Sequence, residues 1–266
     1  MDEVGFCPDI DVQPRGPAMN EPLEFRFTVP PLPDGQAVTA DEFEEIALKR
    51  LESDSSSRKQ TLWDLSVIYS VTRREEQSLE CLRKLAVLTE DLDQRAQCYL
   101  AMGAQRERAR DFEGAVTYYG AAFEMSPSNS NVWYWINNNL GYSLVQLGRC
   151  QEAERYLRQA IGIDQGRSNA YKNLGLAFLG QARWTDAAAY FVRATQANAS
   201  DNRSLAHLEQ LVSEHPEILV DLPELERATE QCREAVRLAA SAQPDTREHW
   251  RMLRNRQRKP WWAFWR

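Results

Sequence analysis

Between Tyr134 and Asp201 a pattern of small and large residues occurs twice, at a spacing of 34. Leu140-Gly141 returns as Leu174-Gly175, Ala153 as Ala187, Leu157 as Phe191 and Ala160 as Ala194. A period of this size means one supersecondary unit copied along a solenoid, because each copy buries its apolar face only against the next. The chain therefore has to stack, and its function has to be read from the surfaces that stacking creates.

At this register residues 168–201 carry Tyr171, Leu174, Gly175, Phe178, Ala187, Phe191 and Ala194. Residues 134–167 carry Leu140, Gly141, Leu144, Gly148, Ala153, Leu157 and Ala160, with Asn137 where a large residue is expected. Residues 96–129 carry Tyr99, Met102, Gly103, Ala115, Tyr119, Ala122 and Pro127, with Arg106 in place of an aromatic. A degenerate first copy, 59–92, keeps Leu62, Leu65, Tyr69, Leu82 and Leu85, with Ser66 and Ser78 at the small positions.

These positions resemble the tetratricopeptide repeat, a helix-turn-helix unit. The resemblance implies an all-α fold, a right-handed superhelical solenoid of tandem repeats with capping helices. Its physical basis is close packing: small residues let the first helix of a unit, helix A, approach the second, helix B, and large residues fill the remaining space. The spacing is not uniform, since Gly103 to Gly141 is 38 residues. The extra residues near 128–131 predict a longer loop or an extended first turn of the next helix, projecting Trp133 and Trp135 beyond the usual outline. Three further residues separate the first and second units.

The flanks read differently. Residues 1–57 hold 13 acidic and 4 basic side chains, and seven of the twelve prolines fall within 8–33. This segment is expected to be mostly disordered, because it has too little apolar surface to offset its ordering entropy. Residues 23–29 alternate apolar and polar and suggest a strand or docking motif, although a strand alone is not stable. Thr39 followed by Glu42 is a capping-box signature for a helix over about 40–52, with Phe43, Ile46, Ala47 and Leu51 on one face. That helix would be a lid on the array or a free recognition helix, and the lid is the preferred reading. The array is assigned to 58–215, with a cap helix at 202–213 carrying Leu205, Leu208, Leu211 and Val212. A second capping helix falls within 216–244, and a basic, Trp-rich tail spans 245–266.

Composition narrows the function classes. A net charge of −7 with 43% hydrophobic residues suits a soluble protein. The N-terminus shows no basic segment followed by an apolar run, and no transmembrane stretch is apparent. Five scattered cysteines without a CxxC pair read as reduced thiols, and neither a metal site nor a cofactor is expected. Cytoplasmic location follows, with a peripheral membrane association left open by the tail. No nucleophile elbow, phosphate-binding glycine loop or zinc-protease motif occurs, and His207, His215 and His249 lie in none. An enzyme with a small-molecule substrate is not expected.

The resemblance implies that side chains of each helix A line a concave groove. The groove residues singled out are Arg108, Trp135, Asn138, Asn139, Tyr142, Asn169, Lys172 and Asn173. Asn139 and Asn173 share one register position, and two amides so placed suit the backbone of an extended peptide. Trp135 and Tyr142 add apolar surface with a polar tip. The bland alternative has the asparagines solvated and Trp135 packed on the insertion. The family's chaperone-tail clamp is not expected, since Asn139 alone matches its pattern while Leu100, Ala104, Asn169 and Asn173 occupy the other places.

The tail gathers Trp250, Arg254, Arg258, Trp261, Trp262, Phe264 and Trp265, and half of the eight tryptophans lie in it. A protein pocket, including the array's own groove or the acidic N-terminus, suits such anchors, as does an anionic membrane. Nucleic acid is the poorer match, given a pI of about 5.2. The function expected is a non-catalytic adaptor or scaffold that holds an extended or helical peptide of a partner in the concave face. The alternative is a peripheral membrane assembly factor that docks through its tail.

Overall fold

The computed structural model describes residues 24–26 and 37–242 of the chain. A short antiparallel pair comes first, β1 (Glu24–Arg26) with β2 (Ala37–Thr39), Phe25 opposite Val38. Part of the 23–29 stretch is thus a strand with a partner. Thr39 then caps α1 (Ala40–Ser53) with both halves of a capping box: its hydroxyl accepts from the Glu42 N–H, and Glu42 accepts from the Thr39 N–H at 2.8 Å.

Four antiparallel helix pairs follow. They are α2 (Arg58–Val71) with α3 (Glu75–Leu88), and α4 (Leu92–Arg108) with α5 (Phe112–Glu124). Next come α6 (Ser130–Gln146) with α7 (Cys150–Ile163), and α8 (Ser168–Leu179) with α9 (Trp184–Ala197). The described chain closes with α10 (Arg203–Glu214), the one-turn α11 (Ile218–Asp221) and α12 (Leu225–Ala242), of which α10 and α12 pack on α9. The helix A members α4, α6 and α8 touch in sequence, so they form one continuous layer.

The small-residue positions do what close packing requires. A Cβ on Gly141 would stand 2.5 Å from Leu157 Cγ, and one on Gly175 would stand 2.6 Å from Phe191 Cε1. Gly103 meets the ring of Tyr119 in the same way. Each contact joins a helix A to its own helix B, and Tyr119, Leu157 and Phe191 are fully buried there.

The turns inside the pairs also repeat. Arg73, Arg110, Gly148 and Ala182 each take a positive φ between 58° and 74° at the same point of successive units. That left-handed residue ends helix A, and glycine fills it at 148 alone among the four. The residue after it is Arg74, Arg149 or Arg183 in three units, and Arg149 and Arg183 bond to Glu152 and Asp186 three residues on.

The insertions lengthen helices. α4 and α6 have 17 residues against 12 in α8, so both take the extra residues into the first turn. Asn129 caps the extended α6 by accepting from the N–H groups of Asn131 and Val132, and Asp93 of α4 accepts from Ser128 N–H at 2.6 Å. The two tryptophans do not project, contrary to expectation. Trp133 stacks on Phe123 with centroids 4.8 Å apart, and Trp135 sits edge-on to Tyr134 at 5.2 Å. Their apolar area is better covered by these ring contacts than left in water.

At the N-terminal end α1 is a lid. Phe43 and Ala47 are buried in the core formed by α2 and α3, and Glu44 pairs with Arg74 and accepts from the Tyr69 hydroxyl at 2.8 Å. At the other end Leu205, Leu208, Leu211, Ile218, Leu225 and Cys232 extend the main core.

Candidate functional site

The residues proposed for the groove lie on α4, α6 and α8, and the layer has a specific internal order. Asn138, Asn139 and Asn173 are not solvated: their exposures are 4%, 3% and 5%. Asn173 Nδ2 donates to Asn138 Oδ1 at 3.1 Å, and Asn138 Nδ2 donates to Asn139 Oδ1 at 2.9 Å. Asn139 Nδ2 continues to the Tyr119 hydroxyl at 3.4 Å, which donates to Glu107 Oε2 at 2.9 Å. One hydrogen-bonded row thus crosses three repeats.

Its terminus explains its direction. A carboxylate only accepts, so the Tyr119 proton faces Glu107 and each amide behind it turns the same way. Burial pushes the Glu107 carboxyl up to about 7, partly offset by the Tyr119 and Ser143 hydroxyls and by Arg108. Tyr119 is raised well above its ordinary value, first by burial and then by Glu107.

The other groove residues surround the row. Tyr142 is half-buried with its edge against Phe112, the centroids 6.3 Å apart. Val145, Leu176 and Leu179 are half-buried and lean on the core beside it. Lys172 stands 3.8 Å from Asp201, whose other oxygen binds Arg203 at 2.8 Å. Arg108 is exposed and donates to Ser70 across to α2. Asn169 is half-buried at the start of α8. Trp135 belongs to a different cluster, under the Arg167 guanidinium at 5.3 Å, which also covers Tyr134 and binds Asn131. The packed reading of Trp135 therefore describes its place.

Two features escape sequence reasoning. Tyr119 reads as core filling, and nothing in its residue type or in that of Glu107 announces that they meet. His207 lies 34 residues beyond Asn173, which is itself 34 beyond Asn139, and so continues their register. Its ring stacks on Phe191 at 5.4 Å, and burial, then Lys172 and Arg203, hold its pKa below the ordinary histidine value. The spacing is the signal that points to it.

The seven tail residues Trp250, Arg254, Arg258, Trp261, Trp262, Phe264 and Trp265 lie outside the described residues, as does the 1–23 segment. Among the described residues, no three His, Cys, Asp or Glu side chains are placed to hold a metal. No helix among them is long and apolar enough to cross a membrane. Away from the layer, an open groove of 840 Å³ lies between α1, α2 and α3, with Leu48, Val87 and Leu88 exposed along it.

Residues 138–202 match the sequence model of the tetratricopeptide repeat, over the stretch that holds the three asparagines of the row and the Gly141 and Gly175 contacts. These are tetratricopeptide repeats. Among solved structures, the chain is similar to BtubC from P. vanneervenii, at 17% identity and a TM-score of 0.59 over 77% of this chain and 91% of that one. A double mutant of MamA from RS-1 matches at 17% identity and a TM-score of 0.50, over 76% of this chain and 97% of that one. A MamA crystal structure matches at 22% identity and a TM-score of 0.50, over 61% of this chain and 92% of that one. At these identities the likeness establishes the fold alone. A comparison with curated proteins gives no match.

Proposed function

We propose that the chain is a protein-recognition scaffold whose α4, α6 and α8 layer holds an extended or helical segment of a partner. The observation that carries this reading is the pairing of half-exposed Tyr142, Val145, Leu176 and Leu179 with a row of amides already fixed by its own hydrogen bonds. Apolar surface supplies affinity, and fixed polar groups supply orientation at little further cost in side-chain entropy. Lys172, Asn169 and Arg108 form the polar rim. The amides act mainly by shaping and polarising the floor, since little of each reaches the surface.

Peptides selected from a random display library on the full-length chain test the reading. Tyr142→Ala and Leu176→Ala are expected to weaken the selected peptides about tenfold each, the cost of losing one anchored side chain. Unchanged affinity in both would overturn it.

The tail supports a second reading, peripheral membrane attachment, through its combination of arginine and tryptophan. Flotation of the full-length chain and a truncation at Pro244 with anionic liposomes tests it. Equal flotation of the two removes the membrane role.

A further inference from the structure

We infer that Glu107, although it lies beneath the groove floor, is the positioning residue that sets the donor and acceptor order of the Asn139–Asn138–Asn173 row. This rests on the reading of the α4, α6 and α8 layer as a recognition surface.

An amide offers donors on one arm and an acceptor on the other, so a row of amides has two self-consistent orders related by flipping every member. A group that accepts only, placed at one end, selects between them. Glu107 is such a group while ionised, and Tyr119 is a relay, because a hydroxyl donates one proton and accepts others. With the carboxylate charged, Tyr119 donates to Glu107 and accepts from Asn139, and Asn139 and Asn138 accept in turn from the next amide. All four bonds run toward Glu107. The last amide, Asn173, has its Nδ2 committed to Asn138, which leaves Oδ1 as the free end of the row.

Protonation of Glu107 removes the selection. A carboxylic acid donates, so Tyr119 is free to turn its own proton toward Asn139 Oδ1, and the row follows by flipping its amides. Asn173 then presents Nδ2 where it had presented Oδ1. No bond is gained or lost within the row, so the two orders differ little in their own energy and the end group decides. The groups that face the carboxyl are Tyr119 of α5, Ser143 of α6 and Arg108 of its own helix. Burial brings its titration to about 7, so both orders are reached at ordinary pH. The polarity of the floor beneath a bound partner therefore reverses at Asn173, and a polar mismatch at such a buried site costs about tenfold in affinity.

The experiment follows the side-chain amide signals of Asn138, Asn139 and Asn173 by NMR in the full-length chain, from pH 5 to 9, without ligand. All three are expected to move with one common midpoint, and Tyr119→Phe is expected to uncouple Asn138 and Asn173 from it while the Glu107 carboxyl still titrates. Tyr119→Phe keeps the ring that fills the space above Gly103, and a second variant, Glu107→Met, is expected to abolish the midpoint in all three amides. Asn138 and Asn173 signals that stay constant with pH, or that titrate equally in Tyr119→Phe, overturn the inference. Because this readout needs no partner, it stands apart from the groove reading. A selected peptide whose affinity is unchanged in both Tyr142→Ala and Leu176→Ala sinks that reading and leaves the amide titration to be judged alone.

Discussion

The Tyr119 hydroxyl donates to Glu107 Oε2 across 2.9 Å, and both residues are buried within the second repeat. This one bond joins the packing that makes the repeat to the polar row that crosses it. The Tyr119 ring fills the space above Gly103, and its hydroxyl ends the amide row.

The bond has a pH signature. The Glu107 carboxyl ionises near 4.5 in the unfolded chain and at about 7 in the folded one, so the folded state binds more protons between those values. Stability therefore falls as pH rises through that window, by about 2 kcal/mol between pH 5 and 7.5. Glu44 and Asp201 are shifted downward and act in the opposite direction at lower pH. The difference between wild type and Glu107→Gln in urea unfolding cancels them. Relative to the variant, wild type is expected to gain stability on acidification; a pH-independent difference would contradict the assignment.

Glycine contacts predict opposite outcomes for one substitution at different places. Gly175→Ala and Gly141→Ala drive a methyl into Phe191 or Leu157 and are expected to cost about 1–3 kcal/mol, despite alanine's better helix propensity. Gly162→Ala and Gly120→Ala meet nothing within 4 Å and are expected to gain up to about 1 kcal/mol. Urea midpoints of the four variants measure both signs.

The left-handed turn residue gives a third test. Ala182 has φ 58°, where a Cβ is strained and glycine is not. Ala182→Gly is expected to stabilise by about 0.5–1 kcal/mol, and Gly148→Ala to destabilise by a similar amount. Thermal unfolding of the pair checks the symmetry.

Much of the fold is legible in the sequence because repetition amplifies weak signals. Gly141 alone means little, but Gly103, Gly141 and Gly175 in one register identify the helix A to helix B contact by spacing. The capping box of Thr39 and Glu42 is equally local and equally readable. The site is less so, because hydrogen bonds between side chains depend on where helices face rather than on spacing. Asn139 and Asn173 share a register, yet Asn173 bonds to Asn138 instead, one residue off the shared column. Register position alone assigns Trp135 to the groove, and the Arg167 guanidinium that draws it toward the unit boundary comes from the loop before α8.

The central claim is that partners are held on the α4, α6 and α8 layer, and residue-resolved NMR mapping of a selected peptide on the full-length chain tests it most directly. Perturbations are expected to centre on Tyr142, Val145, Leu176, Leu179 and the three asparagine amides. Perturbations confined to α5, α7 and α9, or to Leu48, Val87 and Leu88 of the N-terminal groove, would contradict it.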